Sequence, residues 1–341
     1  MRSVSIVFPR AMEVEVIEEE VGEPADGEVL IQARASLVSP GTELRCLEGR
    51  FDKGTNWSSW VQYPFKPGYC LAGTVVRIGK GVTQFRTGDR VVTMKPHAQY
   101  SLDKQENLIP VPERVSWEEA AWQPLGVVTQ IGVRRASMVL GDSVGIIGAG
   151  ALGQLVIQYV RLSGARGVIV IDPRGERLDL AQRNGATRCL AMKAHDALPE
   201  IRRLTSGKLL DIVFDVTGLP TVLSAATQMV RRMGKVVLVG DNTMPSQQFL
   251  GPNVLSDSIS ILAAHGSLSP SVATEFNPWT WKEMARLFFE LLEEKKIDVR
   301  SSTTSTRSPA DAHKVYSALR AAVSDQLGVV FDWSQVEQAG A

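Results

Sequence analysis

Cysteine is scarce in this chain: Cys46, Cys70 and Cys189 are the only three in 341 residues. So few thiols, so widely spaced, cannot build a disulfide framework, and they point to a reducing, cytoplasmic setting. Neither sign of charge is in excess, because 37 basic side chains face 37 acidic ones. That balance excludes the basic face of a nucleic-acid binder and the polybasic patch of a membrane-surface protein. No apolar run reaches the length that spans a bilayer. The N-terminal Met1-Arg-Ser-Val-Ser-Ile-Val-Phe lacks the apolar core and cleavage site of a secretory signal. Repeats and low-complexity stretches are absent too. What remains is ordinary for a soluble globular enzyme of two domains: 44% apolar and 22% charged residues.

The order of patterns along the chain is more informative. Up to about residue 120 the sequence reads as short strands between Gly, Pro and Asp breaks. Glu13–Ile17, Glu28–Ala35, Ala72–Gly79 and Asp89–Met94 carry the clearest alternation, giving a β-rich unit. Glu118–Trp122 and Val127–Met138 read as helices. From Ser143 strands and helices alternate. The predicted strands are Ser143–Ile147, Gly167–Ile171, Asp211–Asp215, Gly234–Val239 and Ser258–Ala263, with a weaker one at Arg188–Leu190. Helices are predicted at Ala151–Ser163, Glu176–Asn184, Asp196–Thr205 and Thr221–Arg231. This is the signature of an α/β, doubly wound parallel sheet. An amphipathic helix over Trp281–Lys295, a helix over Pro309–Val323 and a strand over Gly328–Trp333 follow, the last expected to rejoin the β-rich unit.

At the first strand-to-helix turn stands Gly145-Ile-Ile-Gly148-Ala-Gly150-Ala-Leu-Gly153. Gly148 permits a tight turn, Gly150 lets the backbone approach a pyrophosphate, and Gly153 lets the helix pack on the sheet. Ala151 and Leu152 open a helix whose free N–H groups favour an anion. Asp172 ends the next strand, 24 residues after Gly148, where a carboxylate binds the adenosine ribose hydroxyls and repels a 2′-phosphate. NAD is therefore expected in preference to NADP, although Arg174 and Arg177 lie near enough to soften that repulsion. Thr217 and Gly240, at later strand ends, and His265, read as closing the sixth strand, are further candidate cofactor neighbours.

Three more motifs, Lys66-Pro-Gly-Tyr-Cys-Leu-Ala-Gly73, Gly88-Asp-Arg-Val91 and His97-Ala-Gln-Tyr100, join the glycine turn. Together they make the chain resemble the medium-chain dehydrogenase/reductase superfamily over nearly its whole length. The resemblance implies a chaperonin-10-like (GroES-like) β-rich catalytic domain over 1–122 and 290–341, and a Rossmann domain over 123–289. It also implies a small-molecule substrate and a homo-oligomer, dimer or tetramer. Zinc-dependent members place a Cys in a Cys-Gly-Ser/Thr-Asp pattern, a His in Pro-Gly-His-Glu, and a third Cys or acidic ligand upstream of the glycine turn. Pro40, Tyr69 and Gln123 stand at those three points. None of the three replaces a thiolate, imidazole or carboxylate on zinc. No cysteine lies between Cys70 and Cys189 to form a structural zinc lobe. Zinc is not expected, with a set improvised from Glu43, Cys70 and a nearby histidine left open.

Hydride arriving at a carbonyl leaves an alkoxide that needs a partner. Aimed hydrogen-bond donors in a dry site supply about 3–4 kcal/mol, comparable with a Lewis-acid metal. Tyr69 is the first candidate donor, and an acid if its pKa falls. Thr42 matches the residue that relays the substrate proton in the family the chain resembles. Glu43, Gln123 and His97 complete the candidate catalytic set, each with a structural alternative. The aromatic segment Phe51–Trp60 suits either the cap of a hydroxylated substrate or a subunit contact. The leading expectation is a zinc-independent, NAD(H)-dependent alcohol dehydrogenase or ketoreductase acting on a polyhydroxylated small molecule such as a sugar, cyclitol or nucleoside-like compound. An NAD(P)H-dependent enone or quinone reductase, and a non-catalytic dinucleotide-binding protein, are the alternatives.

Overall fold

The computed structural model describes residues 1–266, 269–270, 272–321 and 326–336. They divide into two compact units. One holds Met1–Arg50, Gly54–Pro124 and the described residues from Ala285 on; the other holds Phe51–Lys53 and Leu125–Met284.

The first unit is built on a seven-stranded sheet. Its spatial order is Thr303–Arg307, Gly328–Asp332, Glu28–Val38, Leu71–Ile78, Arg90–Thr93 and Ile109–Pro110, with Tyr100–Lys104 also paired to Glu28–Val38. Glu28–Val38 organises the unit because it pairs with three strands. Gln32 lies opposite Tyr100, Ala33 opposite Gly73 and Leu37 opposite Val330. Its buried Val29, Leu30, Ile31, Leu37 and Val38 supply much of the core. A separate antiparallel hairpin joins Arg2–Val7 to Glu15–Glu20.

In the second unit six parallel strands lie in the order Arg188–Leu190, Gly167–Ile171, Ser143–Ile147, Leu210–Asp215, Val230–Leu238, Ser260–Ala263. In chain order that is 3-2-1-4-5-6, the doubly wound arrangement of dinucleotide-binding sheets. The central strands are continuous apolar runs because helices cover both faces: Val144, Ile146 and Ile147 are buried, as are Val168 to Ile171. On one face Ala197, Ile201, Leu223, Ala226 and Met229 pack against Ile147, Ile171, Val213 and Val236.

The strands Ser143–Ile147, Gly167–Ile171 and Arg188–Leu190 have the bounds the sequence predicts. Elsewhere the structure departs from expectation for identifiable reasons. Pro40–Glu48, for which the sequence pattern predicts no helix, is a helix; Ser-Pro-Gly-Thr resembles a turn, but proline at a first helical position gives up an N–H that has no partner anyway. Thr303–Arg307 is a strand without an apolar alternation to betray it. The helix expected over Thr221–Arg231 runs from Val222 to Met229, and the next strand starts at Val230 instead of Gly234. Pro309–Asp311 is a 3-10 turn leading into the helix Ala312–Arg320; Ala322 and Val323, assigned to that helix from sequence, lie outside the described residues.

Candidate active site

The turn after Ser143–Ile147 is shaped by glycine. Gly148 has φ +101°, the left-handed region that side chains disfavour. A Cβ there would stand 2.9 Å from Thr217 Cγ2, so Thr217 abuts the turn as its sequence position suggests. A Cβ on Gly153 would overlap the Gly148 carbonyl oxygen, which is how closely the helix Ala151–Leu162 approaches the strand. Gly150 caps that helix with no side chain over its first N–H groups, and Ala151 and Leu152 are half-buried in its first turn. These N–H groups form a place for an anion. The Arg177 guanidinium comes within 3.7 Å of where a Gly150 Cβ would sit, bringing a cation to the same turn.

Asp172 is buried, its two oxygens accepting from Ala149 N at 2.8 Å and Arg174 N at 2.9 Å. Two backbone donors fix this carboxylate rigidly beside the glycine turn. Asp215, at the end of the neighbouring strand, accepts from Thr217 N at 2.9 Å and Thr217 Oγ1 at 2.7 Å. Burial pushes its pKa up to about 6, against the lowering effect of those bonds. Gly240 touches this corner: a side chain on it would overlap Gly218 N. His265 requires a correction. Its strand ends at Ala263, and the histidine is exposed beyond it.

In the first unit, the start of helix Pro40–Glu48 and the Pro67-Gly-Tyr turn place three hydroxyls together. Tyr69 Oη donates to Ser39 Oγ at 2.8 Å, Thr42 Oγ1 lies 3.5 Å from Tyr69 Oη, and Ser39 Oγ is 3.5 Å from Thr42 Oγ1. Burial, reinforced by Cys70 and Glu43, holds the Tyr69 phenol well above its ordinary pKa. The Ser39 and Thr42 hydrogen bonds only moderate that effect. The lowered pKa that would make Tyr69 a strong acid is therefore corrected: it is a neutral donor throughout the ordinary pH range.

Glu43 and His97 belong to a layer beneath these hydroxyls. Glu43 is 1% exposed. Its Oε1 accepts from Ser39 N at 2.7 Å, and its Oε2 from Tyr316 Oη and from His97 Nε2 at 3.0 Å. His97 Nδ1 meets Ser36 Oγ at 2.7 Å, and Trp333 Nε1 donates to the same Ser36 Oγ at 2.8 Å. Because Ser36 receives the Trp333 hydrogen, its own is free for His97 Nδ1, leaving Nε2–H for Glu43. Both nitrogens of His97 are taken, Glu43 accepts three protein donors, and each side chain is about 1% exposed, which makes the pair a buried support beneath the hydroxyls. Gly68, at φ +96°, is required here, since a Cβ would come within 2.6 Å of the His97 ring.

Gln123 differs. It is 1% exposed, yet neither its side-chain oxygen nor its nitrogen has a hydrogen-bond partner, an arrangement that costs about 1–3 kcal/mol per unmet group. Sequence reasoning missed Ser39, Ser36 and Tyr316. A serine preceding a proline looks like turn chemistry, and Tyr316 reaches Glu43 across 273 residues of chain. In the aromatic segment, Asn56–Trp60 is a short helix in which Trp57 is buried and Trp60 stays 44% exposed, edge-on to Phe65 at 5.3 Å.

No three His, Cys, Asp or Glu side chains cluster as a metal site among the described residues. The donor chemistry itself does not suit zinc: proline has no ligand atom, the tyrosine is held as a neutral phenol among hydroxyls, and Glu43 already holds three protein donors.

Known proteins are similar to this chain in sequence and fold. Residues 25–140 match the alcohol dehydrogenase GroES-like domain, and residues 151–290 the zinc-binding dehydrogenase family. The chain is 27% identical to D-guloside 3-dehydrogenase of Escherichia coli K12, over 78% of this chain and 81% of that protein. It is 30% identical to L-threonine 3-dehydrogenase of Pyrococcus horikoshii, over 66% of this chain and 72% of that protein. The crystal structure of 2R,3R-butanediol dehydrogenase from Bacillus subtilis superposes with a TM-score of 0.80 at 21% identity, covering 97% of this chain and 99% of that one.

Proposed function

The chain belongs to the medium-chain dehydrogenase/reductase family, among its zinc-type alcohol dehydrogenase-like members, and on that premise we propose that it is an NAD(H)-dependent, zinc-independent alcohol dehydrogenase or ketoreductase. Its substrate is the secondary alcohol or ketone of a polyhydroxylated small molecule. The observation that carries this reading is the Tyr69–Ser39–Thr42 hydroxyl cluster, in which Tyr69 matches the histidine position of zinc-dependent members while Ser39 and Thr42 flank Pro40 at the cysteine position. The names of the guloside, threonine and butanediol dehydrogenases, all relatives or structural neighbours, support a secondary alcohol as the reacting group.

The dinucleotide is held by the glycine turn. Gly148 and Gly150 admit the pyrophosphate, the N–H groups opening at Ala151 and Leu152 bind it, and Arg177 adds positive charge. Asp172, fixed by two backbone N–H groups, takes the adenosine ribose hydroxyls and disfavours a 2′-phosphate. Thr217 and Gly240 border the same corner. When bound, the nicotinamide ring supplies or removes the hydride.

The chain's own residues manage the oxygen and its proton. Tyr69 donates a hydrogen bond to the oxygen on which negative charge develops, and its raised pKa keeps that donor protonated. Thr42, half-buried and 3.5 Å from Tyr69 Oη, passes the proton between the hydroxyl cluster and solvent. The unpaired amide of Gln123 takes a substrate hydroxyl, relieving its buried polar atoms. Replacing Tyr69 by Phe removes the donor alone, so turnover falls by about 10²–10³, while NADH affinity, read by fluorescence titration, stays unchanged. Retained activity in Tyr69→Phe would sink the reading. Oxidation of secondary polyols with NAD, read at the NADH absorbance, provides the assay.

A further inference from the structure

Tyr69 cannot donate one hydrogen to two acceptors. In the structure that hydrogen goes to Ser39 Oγ at 2.8 Å, so engaging a substrate oxygen requires the bond to reverse, with Ser39 becoming the donor. We propose that Ser39 is the proton-relay partner of Tyr69. On the reading given above, on which this rests, the reducing direction runs as follows. A bound dihydronicotinamide would supply the hydride to the carbonyl carbon, and the C=O π pair would move onto oxygen. That oxygen takes the phenolic hydrogen of Tyr69, and the Tyr69 O–H bond re-forms with the hydrogen of Ser39. Ser39 is refilled from Thr42 Oγ1, at 3.5 Å, and Thr42 from water. Alcohol oxidation is the same chain reversed.

Three observations converge on this order. Ser39 is 6% exposed and its hydroxyl, at 2.8 Å, is nearer to Tyr69 Oη than that of Thr42 at 3.5 Å, so the shortest step from the half-buried Tyr69 runs to a shielded hydroxyl and from there to the half-buried Thr42. Burial opposes a free phenolate at Tyr69, so the two hydrogens must move together, not in separate steps. And Ser39 is fixed through its backbone: its N–H is held by Glu43 Oε1 at 2.7 Å, and its carbonyl accepts from Thr42 N and Glu43 N. The side chain caps nothing in the helix that follows, which leaves the Ser39 hydroxyl with no structural duty there.

For that reason Ser39→Ala tests the hydroxyl with little disturbance to the helix. The measurement is steady-state oxidation of sorbitol, as a probe polyol, by NAD in mixtures of light and heavy water. NADH titration confirms that each variant is folded. The wild type is expected to show a curved proton inventory, from two hydrogens in flight. Ser39→Ala lowers kcat by about a hundredfold, the lower end of what a positioned proton donor contributes. It leaves KM within about twofold and makes the inventory linear. Ser39→Thr, which restores a hydroxyl, recovers both. Undiminished kcat with a curved inventory in Ser39→Ala overturns the relay alone, provided Tyr69→Phe is inactive. A wild type inert to sorbitol and to other secondary alcohols, or an active Tyr69→Phe, overturns the parent reading and the relay with it.

Discussion

Two buried carboxylates do opposite things at the residue scale. Glu43 is surrounded by donors, from Ser39 N, His97 and Tyr316, and anchors the helix start that bears the hydroxyl cluster. Under the proposed function its effect on a substrate oxygen is one of position, exerted through the Ser39 backbone that it holds. Asp215 has Thr217 as its donor and is almost wholly buried, and that imbalance raises its pKa from 3.8 to about 6. The sign of the stability effect follows. A carboxyl whose pKa is higher folded than unfolded binds its proton more tightly in the native state. Its contribution is therefore full below about pH 4 and is lost as pH rises through 6. The loss amounts to about 3 kcal/mol. Asp215→Asn keeps an oxygen for the Thr217 donors and removes the titration. Urea unfolding should therefore show the variant equal to or more stable than wild type at pH 7, with a flatter stability profile between pH 4 and 6. A variant less stable at pH 7 by more than about 1 kcal/mol would show that the charge is favourably held.

The element to which the proposed function assigns cofactor binding is the pair formed by strand Ser143–Ile147 and helix Ala151–Leu162. Their approach depends on the bare backbone of Gly153, so Gly153→Ala must lift the helix off the Gly148 carbonyl. NADH affinity is expected to fall at least tenfold, about 1.4 kcal/mol, with a lower melting temperature by calorimetry; unchanged affinity would remove this helix from the binding account. This element was fully legible in the sequence, since an apolar strand, three glycines and an amphipathic helix are local signals. The carboxylate at Asp172 was legible for the same reason. The helix Pro40–Glu48 was not, because Ser-Pro-Gly-Thr satisfies turn chemistry and helix-start chemistry equally well. Nor was the layer beneath it, because His97, Tyr316 and Trp333 are brought to Glu43 and Ser36 by strand pairing and helix packing from distant parts of the chain. The sequence positions of Tyr69 and Thr42 suggested a shared oxygen; that the Ser39 hydroxyl joins them, closer to Tyr69 than Thr42 is, became visible only in the fold.

Across the whole molecule, the family scaffold is kept while the residues at the family's metal positions differ. Both domains are retained, yet the three positions that hold catalytic zinc in metal-dependent members carry Pro40, Tyr69 and Gln123, and the cysteines of a structural lobe are missing between Cys70 and Cys189. A protein that binds a metal in its native state alone is stabilised by that binding, so removing the metal lowers the melting temperature. Dialysis against a strong chelator followed by a metal-free assay therefore reads stability and turnover at once. The expected outcome is an unchanged melting temperature and undiminished NAD-linked oxidation of a polyol, with less than stoichiometric zinc by elemental analysis. Added zinc should not accelerate turnover, because the neutral phenol of Tyr69 and the fully engaged carboxylate of Glu43 offer it no thiolate, imidazole or free carboxylate. Loss of activity on chelation, restored by stoichiometric zinc, would mean that Cys70 and its neighbours rearrange to hold the ion, and the hydroxyl cluster would then be a support for the metal instead of its replacement.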